Sequence, residues 1–387
     1  MVPPPVWPVV LAGFAAFTNL YATQPLLPLL MRVFDASHFA VSLSVTAPTL
    51  AVAAAAPIAG RVADLVGRKR IIVGAAGLMS LATALAATSA NLPQFIAWRF
   101  VQGLLTPGIF AITIAYIHEE YPSSFTGRAT AAYVSGTVVG GFCGRVLVGL
   151  VAAYASWRTA FATLAVVNVA TTVAIAAWLP RERNPALRAL GGYSRSALAL
   201  LRNRQLIATN AVGFCVLFSQ VAVFTYVTFH LEAPPYGLST AALGWLFIVY
   251  LFGAAVTPVA GRWVDIYGHR AGLSLGMAIG VFGAALTLAG PLGFIVAGLA
   301  LVGTGVFIGQ TTASSYIASA TASDRGLAVG LYSSSYYLGG SLGGSLPALL
   351  WAQAGWAGCV LLVIAVQLAT LGLGVAFWRP GRAGRSR

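Results

Sequence analysis

Charge is what this sequence lacks most. Only 8% of its 387 residues are Asp, Glu, Lys or Arg, against about 25% in a soluble domain, so it cannot cover a surface facing water. Acidic residues are scarcer still. There are eight, and none sits in the middle of an apolar run. Cysteines number three, Cys143, Cys215 and Cys359. They are too scattered for a disulfide framework or a metal cluster and read as small packing residues. Also missing are a nucleotide-binding loop, a metal-ligand cluster and a nucleophile–base pair. Those absences argue against an enzyme and against ATP-driven work by this chain. No cofactor and no metal is expected.

What is there is apolar. Hydrophobic residues make up 59% of the chain. Between residues 8 and 378 they gather into twelve runs of about 20 residues, the length that crosses a hydrocarbon core of about 30 Å. β-barrel strands would be shorter and would alternate in polarity, so the runs predict helices. The first run has no basic segment before it and contains Pro25 and Pro28, so a cleaved signal peptide is not expected. The net charge of +14 suggests nucleic acid until the charges are placed. With both termini in the cytoplasm, 18 of the 22 basic residues fall on that side. The basicity therefore reports orientation, with anionic lipid as a secondary partner. Nucleic acid is not an expected partner.

One phrase occurs twice. Pro57-Ile58-Ala59-Gly60-Arg61-Val62-Ala63-Asp64-Leu65-Val66-Gly67-Arg68-Lys69-Arg70 returns, 201 residues on, as Pro258-Val259-Ala260-Gly261-Arg262-Trp263-Val264-Asp265-Ile266-Tyr267-Gly268-His269-Arg270. A second block repeats at a shift of 199: Gly140, Gly141, Gly144 and Trp157 parallel Gly339, Gly340, Gly343 and Trp356. Six runs plus six, with each loop on the same side in both halves, predict a parallel repeat about an axis along the membrane normal. The expected organisation is an N-terminal bundle over 1–178, a cytoplasmic linker over 179–204 with a short surface helix near 194–201, and a C-terminal bundle with a basic tail over 205–387. The fifth and eleventh runs are rich in glycine, which permits close helix approach in lipid. They read either as static packing or as the moving contact between halves.

The segment from Gly60 to Arg70 resembles the signature loop of the major facilitator superfamily. Arg99-Phe100-Val101-Gln102-Gly103 resembles its second signature. The stretch Gly136–Gly144 resembles the fifth-helix glycine motif of the drug:proton antiporter branch, although Gly141 stands where that motif has proline and Arg145 where it ends in glycine. Tyr21-Ala22-Thr23-Gln24-Pro25, Phe224-Thr225-Tyr226-Val227 and Tyr336-Tyr337-Leu338-Gly339-Gly340 look like the YnfM-like efflux proteins of that branch. The resemblance implies an all-α membrane protein of twelve helices in two bundles, working by alternating access.

It also assigns expected roles. The gating clamp would comprise Gly60, Arg61, Asp64, Gly67, Arg68 and Arg70, with Gly261, Arg262, Asp265 and Arg270 in the second copy. Gly60 and Gly67 would form a tight turn, and Asp64 would meet the start of the eleventh helix near Asp324-Arg325-Gly326. By analogy with the family, the first, fourth, seventh and tenth helices line the cavity with Asn19, Tyr21, Gln24, Gln102, Gln220, Phe224, Tyr226 and Gln310, joined by Tyr250, Tyr336 and Tyr337. Two cations are embedded in spans, where charge is costly and seeks partners. Arg99 is expected to be satisfied by carbonyls or polar groups of the first span. Arg145 either faces the cavity and attracts an anionic substrate or snorkels to the headgroups. With no acid in mid-membrane, a proton carrier would be peripheral: Asp35, His230 or Glu232.

The leading expectation is a monomeric transporter in a bacterial-type inner membrane that exports a small organic molecule, with protons as the candidate coupling ion. The alternative is a uniporter or exchanger of organic anions or metabolites that uses Arg145. A membrane receptor or scaffold is a third reading, for which the chain offers no signalling domain or long tail.

Overall fold

A computed structural model defines residues 5–182, 203–320 and 325–378, and every regular element among them is helical. The first part holds α1 (Trp7–Leu20), a 3-10 turn (Gln24–Leu26), α2 (Leu27–Val33), α3 (His38–Val66), α4 (Arg68–Ala87), α5 (Leu92–Glu120), α6 (Ser123–Tyr154) and α7 (Trp157–Trp178). Then come α8 (Arg204–Glu232), α9 (Thr240–Leu246), α10 (Val249–Tyr267), α11 (His269–Leu286), α12 (Leu292–Ala320), α13 (Arg325–Ser345) and α14 (Pro347–Phe377). Helix starts follow from local chemistry. Ser37, Asn91, Ser156, Asn203 and Ser239 each precede a helix and accept a first-turn N–H at 2.9–3.2 Å, which satisfies donors that have no partner within the helix.

Among the described residues, ten helices are long and apolar enough to cross a membrane, α9 and α10 counting together as one. Two of the twelve runs fall short. α13 is diluted by glycine, serine and tyrosine. The first run is broken at Tyr21–Thr23, because Pro25 and Pro28 lack the N–H groups that would continue the ladder. α1 has 14 residues and rises about 21 Å, short of a core of about 30 Å. The break therefore lies at membrane depth, where lipid cannot satisfy its carbonyls. At the other end of the chain α14 runs on through Gly355, whose φ of 56° marks the corner between the eleventh and twelfth runs.

The chain forms two compact units. One holds α1 to α7 together with α9; the other holds α8 and α10 to α14. The linker beyond residue 182, including the surface helix expected near 194–201, lies outside the described residues.

The glycine-rich helices are packed inside their own units. Gly136, Gly140 and Gly144 lie on one stripe of α6 and back onto the α1 backbone at Val10, Phe14 and Thr18; a methyl group on any of them would overlap a carbonyl oxygen. Gly339 and Gly343 of α13 do the same against Phe214 and Phe218 of α8. The i, i+4 spacing creates a flat face onto which another backbone fits. Gly136, Gly140, Gly144, Gly339 and Gly343 thus pack on the first helix of their own half, whereas Gly149 meets Thr240 and Gly244 of α9.

Candidate functional site

The repeated segment is less of a loop than its polarity suggests. α3 continues to Val66, so Gly60 and Arg61 are helical and exposed. Only Gly67 turns, at φ 101°, and Gly268 repeats it at φ 88°; both values favour a residue without Cβ. Gly261 is helical within α10.

In the first copy Arg68 is the hub. Its Nη2 donates to Asp64 Oδ1 at 3.3 Å and to Glu119 Oε1 at 2.6 Å, and its Nε donates to Glu119 Oε2. This fork ties the ends of α3 and α5. The backbone N–H of Lys69, in the first turn of α4, donates to Glu182 Oε1 at 2.7 Å. Glu182 thus supplies the anion at this helix N-terminus. Lys69 Nζ donates to the Leu179 carbonyl, and Tyr116 Oη to that of Pro180 at 2.9 Å. Arg70 is exposed. The second copy differs. Arg262 and Asp265 are exposed, His269 stands where Arg68 would be and bonds Ser315 at 3.1 Å, and Arg270 Nε is buried without a hydrogen-bond partner. Asp324, at the expected docking point for Asp64, lies outside the described residues. The sequence alone places Glu119 and Glu182 among solvated cytoplasmic residues, and no local signal marks them otherwise.

Arg99 explains how the broken first span survives. Its side chain is fully buried. Nη1 donates to Asn19 O at 2.9 Å, Nη2 to Leu20 O at 2.6 Å and Nε to Ser44 O at 3.2 Å, while Nη1 also reaches Gln102 Oε1. The cation sits at the carbonyl end of α1, where the helix dipole is negative. A polar network extends from it. Gln102 Nε2 donates to Thr83 Oγ1 at 3.0 Å, Thr83 donates to Asn19 Oδ1 at 2.9 Å, and Asn19 and Asn168 exchange amide bonds. Asn19, Arg99 and Gln102 come together as expected, but in the packed interior of the first bundle.

Arg145 occupies the other side of the same break. It is 5% exposed, so it does not snorkel. Nε donates to Gln24 Oε1 at 2.8 Å, and Nη1 folds back to the Gly141 carbonyl at 2.7 Å. Its Cζ lies 5.0 Å from the centre of the Tyr21 ring and 4.6 Å from that of Phe247. Two aromatic faces therefore cover the guanidinium. A Cβ on Gly141 would stand 3.4 Å from Nη1, in ordinary contact. Tyr21, Gln24 and Arg145 thus converge. Phe247, 102 positions from Arg145, carries no signal in the sequence.

The second unit holds separate aromatic groups. Phe224 is fully buried and lies 4.4 Å, centroid to centroid, from Tyr250, which lies 6.2 Å from Phe307. Tyr226 is buried with its hydroxyl on Gly344 O at 3.1 Å. Tyr336 and Tyr337 meet edge to face at 5.5 Å. Gln220 and Gln310 are half-buried. His230 stacks on Trp356 at 5.4 Å with Tyr236 against its edge, Glu232 is half-buried at the end of α8, and Asp35 is exposed.

Comparison with known proteins agrees with this architecture. The model of the Major Facilitator Superfamily matches residues 9–234 and 233–387. The chain is 33% identical over 381 residues to the MFS-type transporter YybF of Bacillus subtilis, covering 97% of this chain and 92% of that protein. It is 32% identical over 367 residues to the inner membrane transport protein YnfM of Escherichia coli, covering 93% and 88%. Among solved structures, a mutant form of the nucleoside transporter NupG superposes with a TM-score of 0.77 at 13% identity, over 97% of this chain and 100% of that one.

Proposed function

From the premise that this chain belongs to the major facilitator superfamily and is a membrane transporter of its twelve-helix fold, we propose that it exports a small organic molecule by alternating access. The observation that carries this reading is the repeated segment. Arg68 grips Asp64 and Glu119 at the ends of α3 and α5, an arrangement of exchangeable ion pairs suited to a gate. The aromatic and amide residues Gln220, Phe224, Tyr250, Gln310, Tyr336 and Tyr337 suit an amphipathic organic solute. We assign proton coupling to the half-buried rim groups His230 and Glu232 rather than to exposed Asp35. The chain would act as a monomer in a bacterial inner membrane with cytoplasmic termini. That placement is supported by the 18 of 22 basic residues on one side and by the designation of YnfM as an inner membrane protein.

A second reading rests on Arg145, a deeply buried cation in a chain whose described helices carry acidic residues only near their ends. It makes the solute an organic anion moved by uniport or exchange.

Proteoliposomes decide between the two. Drugs, sugars, amino acids and organic acids are first screened by thermal shift, and the hits are assayed for flux with and without a pH gradient. Flux driven by the gradient supports proton exchange. Gradient-independent flux of carboxylates that Arg145→Gln abolishes supports the second reading. No flux of any stabilising solute would sink both.

A further inference from the structure

The eighth span changes allegiance partway along. α9 packs with α1 to α7, whereas α10 packs in the other unit, and the crossing falls between Phe247 and Ile248. No proline stands there; the local sequence is Leu246-Phe247-Ile248-Val249. Phe247 and Ile248 keep dihedrals in the helical region, so what sets α9 apart is what holds it.

Three contacts hold it to α6. First, two glycines let the helices meet backbone to backbone. A methyl built on Gly149 would lie 2.8 Å from Thr240 O and 3.1 Å from Gly244 Cα, and one built on Gly244 would lie 2.9 Å from the carbonyl oxygen of Arg145. Second, Phe142 and Trp245 meet edge to face at 5.9 Å. Third, the Phe247 ring covers the Arg145 guanidinium at 4.6 Å. That guanidinium is oriented before Phe247 contributes anything. Gln24 and Gly141 hold two of its nitrogens, and Tyr21 covers its other face. The glycine crossing permits closeness but selects no residue. The cation–aromatic contact is made by the last residue before the chain changes unit.

We propose that Arg145 is a positioning residue of the transport cycle: its guanidinium, held flat by Gln24, Gly141 and Tyr21, is the latch on which Phe247 closes to seat α9 against α6, and transport requires that latch to open. A desolvated cation–π contact biases such an equilibrium by about 30-fold. The inference rests on the transport reading and not on the anion reading, under which Arg145 would touch solute and Phe247 would be incidental.

The test uses the full chain in membranes, with Cys143, Cys215 and Cys359 replaced and F142C with W245C introduced in every arm. The readout is the rate of cross-linking by a short bis-thiol reagent, alongside solute flux. Arg145→Gln and Phe247→Leu should each slow cross-linking by about tenfold, and Phe247→Tyr, which keeps the ring, should restore it. Size-exclusion profiles confirm folding in each arm. An unchanged rate in a well-folded Phe247→Leu variant would overturn the proposal whatever Arg145→Gln does. The anion reading fails separately, when Arg145→Gln leaves carboxylate flux intact.

Discussion

Asn19 and Asn168 exchange two hydrogen bonds across the first bundle. Asn19 Nδ2 donates to Asn168 Oδ1 at 3.1 Å, and Asn168 Nδ2 returns the bond to Asn19 Oδ1 at 3.0 Å. The position related to Asn168 by the 199-residue shift is Gln367, and there the outcome is opposite. Gln367 is 1% exposed, faces Gly280, and has neither amide atom hydrogen-bonded. Asn168→Leu removes both bonds of this exchange from the buried Asn19 amide and should destabilise by about 1–3 kcal/mol. Gln367→Leu removes an unsatisfied amide and should be neutral or stabilising. Melting of the detergent-solubilised protein measures both; equal losses in the two variants would contradict the assignment.

Arg99→Lys keeps the charge and loses the fork. A lysine cannot reach Asn19 O, Leu20 O and Ser44 O together, so the carbonyl end of α1 is left partly unsatisfied. We expect a loss of about 1–3 kcal/mol and a sharp drop in flux at equal expression. Wild-type stability in this variant would mean that the break in the first span is held by something else.

The glycines divide by surroundings. Gly144→Ala drives a methyl into the Thr18 carbonyl and should cost at least about 1–3 kcal/mol by forcing α1 and α6 apart. Gly60→Ala meets open space within a helix and should be tolerated. Gly67→Ala sits at φ 101° and beside Glu182, so it should fail. Size-exclusion profiles of the three variants should rank Gly60→Ala first.

Arg68 joins two carboxylates, and removing either should slow turnover without affecting membrane insertion. Asp64→Asn and Glu119→Gln are both expected to cut flux. Side-chain exposures of 33% for Asp64 and 27% for Glu119 keep the stability cost of either near or below about 1 kcal/mol. Full turnover in Asp64→Asn would remove the gating role from this segment.

Much of the fold is legible in the sequence because apolar run length and basic-residue placement are set by the bilayer itself. The break in the first span is half legible: Pro25 and Pro28 announce it, but Arg99 as its support requires tertiary structure. The interruption at Phe247 has no proline to announce it. Glycine spacing reveals close approach and not the partner, which for Gly144 is α1 and for Gly149 is α9. Glu119 and Glu182 can be counted in the sequence but not paired, because an acid's value depends on which cation the fold brings to it. Arg145 is marked by its departure from the glycine motif; the rings that cover it come from elsewhere in the chain.

The packing of the first-span break also has an electrical consequence. Arg99 and Arg145 put two guanidinium groups within helices whose acidic residues stand only near the ends. A charge displaced through the whole membrane field does work of about 2.3 kcal/mol per 100 mV. Any step that shifts either arginine along the membrane normal is therefore electrogenic. In a cycle that contains such a step, the membrane potential acts on the protein as well as on its solute, before anything binds.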